Sequence, residues 1–421
     1  MEQLVTKSKS VGDLVKCKIV VLLDFFVRGG SARQAFLLAR DMRHRHGLDV
    51  EVWALSCYRY DGDYAEVFAA AGIPTRTLNF RFPTSAPFRL LRGAQWANEL
   101  RRVIATLRKA RVDVLLPFTV WPNVVAGLCY RLGGVGICIW GERHAGGARV
   151  PAPERSAARQ VSHFIANSTA GSNFLANEMG VARERISLVP GGVEPHTASG
   201  RNVWRARLRL GPSEPLVVMI ANVNDFRDHP TLLRAWHIVQ QNWHNGDRPS
   251  LALAGYRDYY NRSYQECREI VRCHDLDRYV RFVDTIPDVP ELIEASDLAV
   301  FCSRIEGMPD GVLECMAAGK AVVATDVPGI RDALGSNAGE VLVPVGDAQR
   351  FAGVMLDPLN NRARRDHLGS ANRARARSEF SVSAMVDRYL GIIRGLLAAG
   401  SSESGPVLSA VSELTDESVV S

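Results

Sequence analysis

Several things are missing from this 421-residue chain, and each absence closes off a class of protein. Its eight cysteines are scattered without a C-x-x-C pair, which argues against a disulfide framework and for reduced thiols packed in a core. Cys17, Cys129, Cys138 and Cys302 lie in or beside strand-like apolar runs, as that reading expects. No apolar run approaches the ~18 residues of a membrane-spanning helix, and the lysine-bearing N-terminal stretch has no apolar heart of a secretory signal. Neither H-E-x-x-H nor G-x-S-x-G occurs, and no Cys/His spacing suits a metal. Two D-x-D triplets, at Asp61/Asp63 and Asp275/Asp277, sit in polar stretches and read as surface turns. No metal and no cofactor is expected, and the location expected is the cytoplasm.

Hydrophobic residues make up 47% and charged residues 23%, the balance of an ordinary water-soluble domain, while the length calls for two domains. The net charge of +6 is uneven: residues 1–200 hold 26 Lys/Arg against 16 Asp/Glu, and residues 201–421 hold 25 against 29. A basic first half points to an anionic partner. The densest basic stretch, Arg81 to Arg111, interleaves Arg89, Arg92, Arg101, Arg102 and Arg108 with Trp96, Leu100, Ile104 and Leu107 at helical spacing. Such a helix suits an anionic membrane surface, or equally a solvated face whose apolar side is in the core. Nucleic acid is not expected, since no recognition motif accompanies the charge.

Short apolar, β-branched runs alternate with amphipathic stretches along the chain. Strands are expected at Lys18–Leu23, Val50–Leu55, Val112–Leu116, Val135–Trp140, Phe164–Asn167 and Ile186–Val189. A second set is expected at Leu216–Ala221, Ser250–Ala254, Val280–Val283, Leu298–Cys302, Ala321–Ala324 and Val341–Val343. Near-continuous apolar strands separated by helices imply parallel sheets covered on both faces. The expected class is therefore α/β, with two Rossmann-like doubly wound domains facing across a cleft. The division runs as a flexible N-terminus (1–16), a first domain (17–195), a second domain (196–380), a C-terminal helix (381–398) crossing back to the first domain, and a disordered acidic tail (399–421). Ligands of such sheets bind beyond the carboxyl ends of the strands, so motifs at those junctions carry the most weight.

The strongest is FCSRIEGMPDGVLECMAAGKAVVATDVPG, residues 301–329. A strand gives way at Ser303 to a loop broken by Gly307, Pro309 and Gly311, and a helix then carries Glu314 about one turn in. The unpaired N–H groups of a helix start suit a phosphate or sugar hydroxyls, and carboxylates such as Glu306 and Glu314 accept hydrogen bonds from neighbouring hydroxyls. A bland role exists too, since a glutamate near a helix start complements the dipole. Three weaker segments stand at other junctions. Gly29 and Gly30 follow the first strand, where a flexible pair lets backbone approach a ligand, although they form neither G-x-G-x-x-G nor a P-loop. Asn222 and Arg227 follow the first strand of the second half. Glu142, Arg143 and His144 follow another strand of the first half, and which of the three turns inward stays open. Ser168 reads as a helix cap.

The 301–329 string resembles the E-x7-E signature of the retaining family-4 glycosyltransferases, which adopt the GT-B fold, and the similarity extends over most of residues 18–398. The resemblance implies that Glu314 binds the nucleotide ribose and Glu306 contacts the donor sugar. It implies that loop amides from Gly307 through Met308, Pro309, Asp310 and Gly311 to Val312 hold the sugar and distal phosphate. It makes residues 17–195 the acceptor domain and residues 196–380 the nucleotide-sugar-binding domain. It sets the Gly29–Gly30 turn near donor phosphate and acceptor, and turns His144, Arg143 or Glu142 toward the donor sugar and the acceptor. The family's phosphate-neutralising arginine and lysine correspond to Asn222 and Arg227, so one cation is replaced by an amide unless Arg33 or Arg143 supplies it. The expected activity is transfer of a sugar, with retention and without a metal, from a UDP- or GDP-linked donor to a saccharide or lipid-linked acceptor hydroxyl in glycoconjugate or polysaccharide synthesis. An epimerase of similar fold and a non-catalytic nucleotide-sugar binder are the alternatives.

Overall fold

The computed structural model describes residues 11–56, 64–82, 89–143, 152–197 and 200–399. His144, the Asp61/Asp63 pair and the acidic C-terminal stretch from residue 400 lie outside them. In chain order the first domain's strands are β1 (Lys18–Leu23), β2 (Asp49–Ala54), β3 (Thr75–Thr77), β4 (Val114–Pro117), β5 (Ile137–Glu142), β6 (His163–Ala166) and β7 (Ile186–Leu188). The second domain has β8 (Leu216–Ile220), β9 (Ser250–Ala254), β10 (Val280–Val283), β11 (Leu298–Phe301), β12 (Val322–Thr325) and β13 (Leu342–Val343). Every pairing is parallel, in the orders β3-β2-β1-β4-β5-β6-β7 and β10-β9-β8-β11-β12-β13. Both sheets carry helices on both faces, so the central strands are apolar on both sides; in β1 the five residues Ile19–Leu23 are all buried. The two-domain α/β architecture read from the sequence is the one observed.

In each sheet the strand order reverses direction once among its first-formed strands, between β1 and β4 in the first domain and between β8 and β11 in the second. A crevice opens at such a reversal, beyond the carboxyl ends of the two strands. The loops leaving β1, β8 and β11 therefore supply the Gly29–Gly30, Asn222–Arg227 and Ser303–Glu306 segments.

The domains are joined twice at one place. Val193, on the outward crossing, pairs with Ser381 on the return, and Val193 N–H donates to Phe380 C=O at 2.7 Å. The helix Val382–Ala399 then lays Met385, Val386, Tyr389, Leu390 and Ile393 into the core of the first domain, beside Ile19 and Leu37. Beside this hinge Gln34, 1% exposed, exchanges two bonds of 2.8 Å with the Gly192 N–H and C=O, and its amide also donates to Asp310 Oδ1 at 2.8 Å. Farther out, the Thr169 N–H donates to Asp332 Oδ2 at 2.7 Å.

Some expectations shift. The sequence reading leaves residues 1–16 loose, whereas Val11–Lys16 forms a 3-10 turn with Leu14 buried against the first core. The polar edge strand β3 is absent from the sequence reading because three residues of Thr-Arg-Thr carry no apolar run. The basic helix Arg89–Ala110 buries Val103 and Leu107 and packs Trp96, Leu100 and Ile104 on the core, while Arg101, Arg102, Arg108 and Lys109 face solvent. No described helix is long and apolar enough to cross a membrane.

Gln34→Leu keeps the volume but leaves the Gly192 backbone groups and the Asp310 carboxylate without this partner. We predict a loss of about 1–3 kcal/mol of unfolding free energy in urea titration, and an unchanged midpoint would show that the tether contributes nothing.

Candidate active site

The loop that follows β11 is held flat by Thr325, whose hydroxyl accepts from the Ser303 N–H at 2.8 Å and donates to the Ser303 C=O at 2.7 Å. Ser303 is fully buried, and its hydroxyl donates to Glu306 Oε1 at 2.9 Å. The neighbouring loop, after β8, runs alongside: Arg227 bridges to Ser303, Asp228 N–H donates to Cys302 C=O at 2.8 Å, and Arg304 N–H donates to Phe226 C=O at 2.9 Å. That register delivers the Arg227 guanidinium to Glu306 Oε1, an ion pair with Glu306 only 6% exposed. Burial pushes the Glu306 carboxyl upward, against the pull of Arg227 and Ser303. Behind Arg227, Asp228 and Pro230 start the helix His229–Gln241, with Asp228 capping the Thr231 N–H.

The helix Asp310–Ala317 begins directly after Pro309, and its start points N–H groups that its own turn does not satisfy toward the cleft. Asp310 faces the first domain, where a side chain at Gly30 would place its Cβ 2.4 Å from Asp310 Oδ2. Any side chain there would push the Asp310 carboxylate aside. Burial raises the Asp310 carboxyl, while Arg143, Arg33 and Gln34 lower it. One turn on, Glu314 pairs with Arg33 of the first domain, Nε to Oε1 at 2.8 Å. Burial dominates even so, and the Glu314 carboxyl is pushed up to about 7. Gly307 meets the first domain as closely, since a Cβ on it would lie 2.3 Å from the Arg143 C=O.

These groups line a cleft of about 290 Å3 between the domains. Gly29, Gly30, Arg28, Arg33 and Tyr64 form one wall, and Asn222, Arg227, Glu306, Pro309, Asp310, Gly311 and Glu314 the other. A third side consists of Thr285, Ile286, Pro287, Val289 and Pro290, an apolar ledge suited to a flat ring. Thus most of the residues singled out from sequence gather in one place. Met308 and Val312 are buried in the second core, and the Val312 N–H donates to the Pro309 C=O at 3.1 Å, so neither side chain lines the cleft. Asn222 lines the cleft, but its side-chain oxygen accepts from the Tyr256 N–H at 2.9 Å and so ties two loops together. Arg143 lies with its guanidinium carbon 5.2 Å from the centre of the Phe118 ring. Glu142 ends β5, 4% exposed, with the Trp140 ring N–H donating to it at 3.4 Å. Ser168 is a helix cap, accepting from the Gly171 N–H at 3.1 Å.

Sequence reasoning missed Gln34, Tyr64, Ser303 and the ledge. Gln34 leaves a trace, being a polar residue at a position where the helix is otherwise buried. The ledge does not, because a T-I-P-D-V-P run resembles any loop. Among the described residues no three His, Cys, Asp or Glu side chains gather as a metal site, and Asp275 and Asp277 are exposed.

Residues 28–197 match the family model described as Glycosyltransferase Family 4, and residues 214–361 match Glycosyl transferases group 1. The D-inositol 3-phosphate glycosyltransferase of Jonesia denitrificans is 23% identical over 260 residues, 60% of this chain and 61% of that protein. The chain thus spans under two-thirds of the length of the curated relatives it matches. Among solved structures, Alr3699/HepE of Anabaena, in complex with UDP and glucose, superposes with a TM-score of 0.76 at 18% identity, over 90% of this chain and 100% of that one. Sucrose-phosphate synthase of Thermosynechococcus elongatus gives 0.74 at 19%, over 91% and 100%. At such identities these structures establish the shared fold.

A carboxyl raised from its ordinary 4.5 to about 7 holds its proton more tightly folded than unfolded. Glu314 therefore adds stability that is complete below about pH 4.5 and lost as pH rises through about 7. Glu314→Gln is predicted to flatten the dependence of melting temperature on pH across that window. An unaltered slope in calorimetric scans would assign the titration elsewhere.

Proposed function

The chain belongs to the family-4 glycosyltransferases, and from that membership we propose that it transfers a sugar, with retention, from a nucleotide diphosphate sugar to an acceptor hydroxyl. The observation that carries this reading is the convergence of two arginine–glutamate pairs, Arg227–Glu306 and Arg33–Glu314, on one helix start. Each pair holds a carboxylate suited to sugar or ribose hydroxyls and a guanidinium suited to phosphate. The donor's base lies on the Ile286–Pro290 ledge, its ribose at Glu314, its diphosphate at Arg227 and the amides of the helix start, and its sugar at Glu306 and the Gly307–Gly311 loop. A UDP or GDP sugar meets these requirements, and the UDP and glucose named for the Anabaena neighbour fit the same class.

Departure of the nucleoside diphosphate leaves an oxocarbenium-like sugar beside a phosphate that gains charge. Arg227 and the helix start, brought to the diphosphate as the donor binds, stabilise that charge. Glu306 is already engaged by Arg227 and Ser303, so it orients the sugar rather than forming a covalent bond with it. The acceptor then attacks from the face the diphosphate leaves, and the departing phosphate oxygen takes its proton. In this reading arginine and amides, not a metal ion, neutralise the leaving group. Domain contact through Asp310, Gln34 and Gly307 excludes water from the cleft. The acceptor is a saccharide or lipid-linked saccharide of glycoconjugate or polysaccharide synthesis. Peripheral contact with an anionic membrane on the cytoplasmic side belongs to the same proposal, supported by the exposed cations of the helix Arg89–Ala110.

A panel of mass-tagged nucleotide sugars tests it, with release of nucleoside diphosphate as the readout. Arg227→Ala and Glu306→Gln should each slow turnover at least about 100-fold while melting temperature stays within a few degrees. Wild-type rates in both variants, or no turnover of any donor by the unaltered protein, would sink the assignment.

A further inference from the structure

The ion pairs of the donor cleft leave one cation over. Among the described residues three guanidiniums line it, those of Arg28, Arg33 and Arg227. Arg33 is held by Glu314 and Arg227 by Glu306. Arg143 stands outside the lining, over the Phe118 ring. Asn222 occupies the position where the resemblance calls for a phosphate-binding arginine, and its side-chain oxygen is committed to the Tyr256 N–H. The second domain's wall thus offers a diphosphate a single guanidinium. Arg28 differs from the other two arginines of the cleft, since no described carboxylate pairs with it.

Arg28 sits in the turn between β1 and the helix Gly30–His44, and both ends of that turn are pinned. Before it, Phe26 is buried in the first core, edge-on to Phe68 at 5.8 Å between ring centres. After it, Gly30 packs directly against Asp310 of the second domain. Between these anchors Arg28 is exposed to the cleft, its guanidinium carbon 5.9 Å from the centre of the Tyr64 ring. Tyr64 is buried and itself edge-on to Phe68 at 5.5 Å, so its ring is a fixed rest for the cation. Charges of both domains surround that ring: burial raises the Tyr64 phenol, Arg33 and Arg28 lower it, and Asp310 and Glu314 raise it again. Arg28 therefore stands close to the helix start that carries Asp310 and Glu314. An unpaired arginine on an open surface is ordinary, but this one lines a cleft and rests on a buried ring, facing a wall that lacks a phosphate cation.

We propose that Arg28 is the second cation of the leaving group, a catalytic residue that meets the donor diphosphate from the first domain while Arg227 meets it from the second. This rests on the glycosyltransferase reading and assigns a group to the charge that Asn222 does not neutralise. As the donor's C1–O bond breaks, its electron pair stays on the distal phosphate oxygen. The acceptor oxygen forms the new bond to C1 and gives its proton to that phosphate. The Arg28 guanidinium opposes the charge as it develops, and its planar fork can donate to two phosphate oxygens at once. No carboxylate has to be displaced first, in contrast to Arg33 and Arg227. Because the two cations belong to different domains, the clamp is complete only with the domains face to face.

Calorimetric titration of the full chain with UDP, GDP, uridine and guanosine tests the assignment, together with turnover of the donor that the nucleotide-sugar panel identifies. Arg28→Ala should raise the Kd of the tighter-binding diphosphate about tenfold and leave that of the matching nucleoside unchanged. It should also lower kcat at least about tenfold. Arg28→Lys should recover part of both losses, since it keeps the charge and gives up the fork. The melting temperature should not move in either variant, because the side chain is exposed. Unchanged diphosphate affinity and kcat in Arg28→Ala, an equal loss for nucleoside and diphosphate, or a loss confined to the KM of the acceptor would each overturn the proposal. An unaltered protein that binds neither UDP nor GDP would instead remove the donor reading, and this assignment with it.

Discussion

Three carboxylates, Glu306, Asp310 and Glu314, fall within nine residues of one strand-to-helix junction, and all three are largely out of water. Removing a single carboxylate from water without a partner costs several kcal/mol. Here each meets one: Arg227 and Ser303 for Glu306, Gln34 for Asp310, Arg33 for Glu314. Gln34 and Arg33 come from the first domain, one residue apart on the helix Gly30–His44, so Asp310 receives its amide hydrogen bond and Glu314 its cation across the domain contact. Closure of the cleft and completion of its electrostatics are therefore a single event. The same helix buries its apolar side in the first core, which makes its polar face a fixed template rather than a flexible arm.

The topology explains why so many functional groups share one place. A parallel sheet wrapped by helices on both faces exposes to ligands chiefly its strand ends. Two such sheets, joined at Val193 and Ser381, bring their carboxyl ends face to face. Each then offers one crevice at its reversal of strand order: Arg227, three carboxylates and a helix start in the second domain face Gly29, Gly30 and Arg33 of the first.

The apolar, two-sided strands are legible in the sequence because burial on both faces leaves an unbroken run such as KIVVLL. Short polar edges are not, which is why β3 escapes notice. At the site, Glu306 and Glu314 are legible because proline and glycine mark the turn around them. Gln34 is not, since its role depends on a partner 276 residues away. Asn222 shows the limit from the other side: its position was readable, but only the structure reveals that its amide secures the Tyr256 loop.

That role for Asn222 bears on how the leaving group is held. An arginine in its place would be free to meet phosphate, whereas the asparagine oxygen is committed to the Tyr256 N–H. Arg227 remains as the guanidinium on this wall of the cleft, and before substrate enters it is paired with Glu306. In the proposed donor complex these partners exchange: sugar hydroxyls meet Glu306, and the diphosphate meets Arg227. Sugar hydroxyls replace the guanidinium's hydrogen bonds to Glu306 though not its charge, and the Ser303 hydroxyl adds another. Binding of the diphosphate alone would leave the buried Glu306 carboxylate without its cation. Under the proposed function, the Arg227–Glu306 pair therefore favours the intact donor over the free nucleotide.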